Sequence, residues 1–79
     1  MKLSSVRDQS FGTRFEIVAF VGDEILRERL HEMGLRQGLV LEYRGSAPLG
    51  GPMIFHYKSV SIALRTTEAS CLEVKPISV

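Results

Sequence analysis

Met53-Ile54-Phe55-His56-Tyr57-Lys58-Ser59-Val60-Ser61-Ile62-Ala63-Leu64 has the pattern of a β-hairpin. Met53, Phe55 and Tyr57 alternate with Ile54, His56 and Lys58, the period of two expected of a strand with one covered face. Lys58-Ser59 then makes a tight turn, and Val60, Ile62 and Leu64 form the apolar face of a returning strand. Just upstream, Leu39, Leu41 and Tyr43 alternate with Val40, Glu42 and Arg44 in another strand. The connection between the two, Gly45-Ser46-Ala47-Pro48-Leu49-Gly50-Gly51-Pro52, is rich in turn residues and longer than a tight hairpin needs.

Nearer the N-terminus, Phe15-Glu16-Ile17-Val18-Ala19-Phe20-Val21 is β-branched and aromatic, with Phe15, Ile17, Ala19 and Val21 on one face and Val18 and Phe20 on the other. Gly22 and Asp23 break that period. Asp23 is a good helix N-cap, and Glu24 puts negative charge where the helix dipole favours it. Leu26, Leu30 and Met33 make one apolar stripe on a helix of three turns, after which Gly34 supplies a left-handed cap and Leu35 folds back on the last turn. On the C-terminal side, Thr66-Thr67-Glu68-Ala69 reads as a single turn, and Leu72 and Val74 begin a fifth strand that Pro76 should end. Residues 1–14 are polar and mixed and read as a loosely held lead-in with a helical turn near Leu3 and Val6.

Five short strands with one short α-helix inserted after the first predict a mainly β fold, a small and partly open barrel. A flat sheet would leave edges that so short a chain can hardly protect. The arrangement fits a five-stranded SH3-like barrel better than an OB-fold.

Seventy-nine residues form one domain, residues 1–79, with no internal repeat or linker. The chain is 44% hydrophobic and 24% charged, which excludes intrinsic disorder. Ten basic against nine acidic residues leave a net charge of +1, so no global field points to nucleic acid. The basic residues are scattered, without interleaved exposed aromatics, and no nucleic-acid partner is expected. No apolar run is long enough to span a bilayer, so the chain is not expected to be membrane-embedded, and no signal-peptide h-region follows Met1. A single cysteine, Cys71, cannot staple the domain internally and points to a reducing cytoplasm.

The sequence carries no phosphate-binding glycine motif, and His31-Glu32 is not followed by the second histidine of a zinc-protease helix. No catalytic residue is expected, and no cofactor. For metals, His31, His56 and Cys71 lie on separate elements. Read plainly, His31 is a solvated helix residue, His56 lies on an exposed strand face, and Cys71 is a small buried hydrophobe. Glu24, Glu28 and Glu32 form a carboxylate stripe beside His31, so Glu28, His31 and Glu32 are weak candidates for Fe²⁺ or another divalent transition metal. The wet side of an amphipathic helix gives the same stripe. In the loop of residues 47–53, glycine and proline serve the turn, but Leu49 and Met53 either pack beneath it or offer an apolar contact.

Three stretches in order resemble the FeoA family of ferrous-iron-transport accessory proteins. They are Arg29-Leu30-His31-Glu32-Met33-Gly34-Leu35-Arg36-Gln37-Gly38, the Pro48-to-Pro52 loop ending in Gly51-Pro52, and Ser61-Ile62-Ala63-Leu64-Arg65-Thr66-Thr67-Glu68-Ala69. Two departures stand out: Gln37 replaces the proline often found before the second glycine, and residues 1–12 run longer before Gly12. The resemblance implies an SH3-like fold and a non-enzymatic cytoplasmic protein that modulates the FeoB-type ferrous iron permease, docking on its cytoplasmic GTP-binding domain or an adjacent region. A barrel that itself binds Fe²⁺ as carrier or sensor is the alternative. Pro48, Leu49, Met53 and Arg65 are the partner-binding candidates, and Gly34, Gly38 and Gly51 the structural turn glycines. Arg65 either pairs with Glu68 or faces a partner.

Overall fold

In the computed structural model, which describes residues 1–77, a 3-10 turn (Leu3–Ser5) leads into β1 (Arg14–Phe20). Then come α1 (Glu24–Glu32), β2 (Val40–Ser46), β3 (Met53–Tyr57), β4 (Val60–Leu64), the single turn α2 (Thr66–Ala69) and β5 (Leu72–Ile77). The strands form one antiparallel sheet in the order β4-β3-β2-β1-β5. Alternation puts Phe15 and Ile17 of β1, Leu41 and Tyr43 of β2, Met53 and Phe55 of β3 and Leu72 and Val74 of β5 into one core, all essentially without solvent contact. Leu30 and Leu35 of the helix and its exit, with Leu64 and Ala69, complete it. The fold is mainly β, as expected.

The α1 ends are built as their residues dictate. Asp23 Oδ1 accepts from the Ile25 and Leu26 amides at 2.8 and 3.2 Å, satisfying two donors of the first turn. At the other end the Leu35 amide donates to Leu30 O and the Gly34 amide to His31 O, the two bonds of a Schellman ending with Gly34 at φ +93°. Arg36 Nη1 adds bonds to His31 O and Leu35 O, and the Tyr57 hydroxyl donates to Met33 O at 2.8 Å, tying the helix exit to β3.

Four expectations need correction. Residues 1–14 are not loosely held: Leu3 and Val6 are fully buried, the Val74 amide donates to Met1 O, and the Tyr43 hydroxyl donates to Arg7 O. Two apolar side chains in a polar segment suffice to anchor it, because β5 offers a free edge for Met1 and Lys2. The alternation of β1 fails after Ile17, where the register against β5 shifts so that Val18 is an extra residue. Phe20 accordingly packs against the core and stacks on His31, with ring centroids 4.1 Å apart. In β4 Leu64 is buried and Ile62 packs against the core, but Val60 stays 45% exposed on the edge strand. Finally, Pro76 does not end β5, which continues to Ile77. The Val74 amide points outward to Met1, so the nitrogen of Pro76 two residues on faces the same outer side and removes no ladder bond to β1.

Candidate functional site

The hairpin register Met53↔Leu64 brings the chain before β3 and the chain after β4 to the same end of the sheet. There Gly50, Gly51 and Pro52 face Arg65, Thr66 and Thr67 across an open cleft of about 370 Å³. The loop is closed by Ala47 N–H to Pro52 O and by Gly51 N–H to Pro48 O, a four-residue turn with positive φ at both central positions, Leu49 (+60°) and Gly50 (+73°). Gly51 is required by space rather than by φ. A Cβ there would lie 2.6 Å from Ala47 Cβ and 3.2 Å from Pro48 O. Gly38, at φ +89°, has open space around it and is needed for its backbone conformation.

Leu49 stands at the tip of this turn and is fully exposed. A leucine in the left-handed region is strained by its Cβ, and here the side chain buries nothing in return. Pro48 beside it is also exposed. Met53 is the correction among the loop residues: it is completely buried in the core, because the alternation of β3 turns it inward with Phe55, and it offers no surface to a partner.

Arg65 does not pair with Glu68 through its side chain. The Glu68 carboxylate accepts instead from the Arg65 backbone amide at 2.8 Å and lies 3.9 Å from Arg29 Nη1. The Arg65 guanidinium is exposed and has no carboxylate partner among the described residues. Arg7 joins from the N-terminal segment, its Nη2 donating to Thr66 Oγ1 at 3.2 Å. Arg7, Thr66 and Thr67 carry no local sequence signal of a site; they meet only because the N-terminal turn packs beside α2.

The metal candidates are not gathered. Glu28, His31 and Glu32 are all exposed on α1, with the His31 ring occupied by its stack on Phe20. Among the described residues no three His, Cys, Asp or Glu side chains are placed to hold a metal ion. His56 Nδ1 lies 3.4 Å from Ser61 Oγ, and Cys71 is buried as a free thiol.

A bent antiparallel sheet of five strands with a short helix after the first defines the class of small SH3-like β-barrels. Within that class the chain belongs to the FeoA family, whose FeoA domain model matches residues 1–76. Iron(II) transport protein A of Clostridium thermocellum is 33% identical, covers 98% of this chain and 46% of its own, and superposes with a TM-score of 0.81. The FeoA protein of Chlorobium tepidum is 29% identical over 99% of this chain and 71% of its own, also at 0.81. The Stenotrophomonas maltophilia FeoA complexed with zinc, described as a prokaryotic SH3 domain protein and a candidate ferrous iron transport activating factor, has the same fold. It is 24% identical over 95% of this chain and 89% of its own, with a TM-score of 0.73. No curated protein sequence matches the chain. No described helix is long and apolar enough to cross a membrane.

Proposed function

We propose that the protein is a non-enzymatic, cytoplasmic accessory factor of ferrous iron transport. It docks on the cytoplasmic GTP-binding domain of an FeoB-type permease, or on the region adjacent to it, and modulates transport. Its family supplies the iron-uptake context. The observation that carries the docking reading is Leu49, an apolar side chain presented entirely to solvent from a strained backbone conformation at a loop tip. A small domain has few apolar residues to spare from its core, so one displayed at the cost of strain fits a contact surface better than packing. The reading assigns no chemistry to any side chain: Pro48 and Leu49 present an apolar contact and Arg65 a charged one.

Calorimetric titration of the purified cytoplasmic domain of the permease with this protein, with and without guanine nucleotide, tests the proposal. Saturable binding is expected, weakened about tenfold or more in Leu49→Asn, as removal of one buried leucine contact predicts. Absence of binding in every nucleotide state, to the soluble domain and to the whole permease in detergent alike, overturns it.

A further inference from the structure

The cleft beside Leu49 combines features that specify what it receives. Arg65 lines it with an exposed guanidinium that no carboxylate neutralises among the described residues. Arg7 is fixed nearby by two bonds, its carbonyl accepting from the buried Tyr43 and its Nη2 donating to Thr66 Oγ1. The Glu68 carboxylate is engaged by the Arg65 amide and by Arg29. Thr66 and Thr67 line the same space; Thr66 Oγ1 accepts from Arg7 and keeps its own proton to donate, and the Thr67 hydroxyl makes no hydrogen bond among the described residues. The opposite wall is Gly50, Gly51 and Pro52, with no charge at all.

From this juxtaposition we infer that the cleft is a recognition site for an acidic side chain of a protein partner, its carboxylate held by Arg65 and the Thr66 and Thr67 hydroxyls while the apolar residue next to it packs on Leu49. A planar carboxylate suits a guanidinium fork, and hydroxyl donors complete its acceptor positions. The apolar prong decides between sources of the anion. A phosphate backbone or a free anion has nothing to place on Leu49, whereas a segment in which Asp or Glu adjoins Leu, Ile or Val satisfies both walls at once. The inference rests on the docking reading above and gives the partner its chemistry.

The probe is a synthetic acetylated Ala-Leu-Asp-Leu-Asp-Ala amide, with the peptide carrying Asn for both Asp as its neutral twin and inorganic phosphate as the free-anion arm. Amide chemical shifts of the ¹⁵N-labelled chain are followed during titration. The acidic peptide is expected to move Gly50, Gly51, Thr66 and Thr67 saturably. Arg65→Gln, which leaves the buried core untouched, should weaken that binding about tenfold. Raising the salt from about 50 to about 500 mM should weaken it as well. Equal shifts with the neutral peptide, an equal response to phosphate, or no response at these amides overturns the inference. The two readings fail separately. Permease binding that Leu49→Asn weakens and Arg65→Gln leaves intact removes acid recognition and keeps docking, whereas peptide binding without any permease binding does the reverse.

Discussion

Leu49 is the residue at which stability and presentation pull apart. Its φ of +60° costs an L-residue with a branched side chain about 1–2 kcal/mol, and its full exposure returns no burial. Asparagine tolerates that region, so Leu49→Asn should raise stability by about 0.5–1 kcal/mol in urea denaturation, while weakening the contact proposed above. A neutral or lower stability would show that the leucine packs on its own loop. Gly51 behaves in the opposite way: any Cβ there collides with Ala47 and the Pro48 carbonyl, so the turn that presents Leu49 depends on a glycine that is not itself in the left-handed region. Met53, four residues beyond Leu49, shows how sharply the loop divides surface from core.

At the scale of elements, α1 is a nine-residue helix that isolated propensity could not sustain, since short helices are marginal in water without tertiary support. It persists because both ends are sealed and because Leu30, with Leu26 and Met33, packs on the sheet. Asp23 bonds two orphan amides, and Asp23→Ala should cost about 1 kcal/mol, read as a lowered urea midpoint with unchanged slope. An unaltered midpoint would mean that water replaces the cap without loss. The β3–β4 hairpin matters for function as much as for folding. Its two-residue turn places Lys58 and Ser59 at positive φ, and the register that follows sets the residues before Met53 against those after Leu64. A slip of one residue would dismantle the cleft and turn the alternating faces inside out.

Across the whole molecule, the N-terminal segment is the element that closes the structure. Leu3 and Val6 fill the core near α2, the Met1 ammonium lies 3.5 Å from Glu73, and Lys2 bridges to Glu73 along β5. Leu3→Ala should therefore cost about 2–5 kcal/mol. A domain of this size has only about 3–5 kcal/mol of net stability, so the variant should be largely unfolded by circular dichroism near 37 °C. A mild shift in melting temperature would instead mean that the segment is peripheral. The two sheet edges are managed differently. Met1, Lys2 and Pro76 blunt β5, whereas β4 carries no charged residue and leaves Val60 exposed.

Local chemistry made most of the fold legible in the sequence. Period-two alternation in β2 and β3, the Asp23 cap, the Gly34–Leu35 ending and the turn at Lys58-Ser59 are short-range effects, each set by neighbours within a few residues. The bulge at Val18, the burial of Leu3 and Val6 and the continuation of β5 through Pro76 were not legible, because each depends on which strand lies alongside. The site divides in the same way. An unusual loop leucine and an arginine at the end of a core strand were legible from the chain alone. That Met53 faces inward, that the Glu68 carboxylate binds the Arg65 backbone rather than its guanidinium, and that Arg7 reaches Thr66 follow from the packed fold. Contacts between residues 59 positions apart in sequence are fixed by packing, and packing is a property of the whole folded sheet rather than of any segment of it.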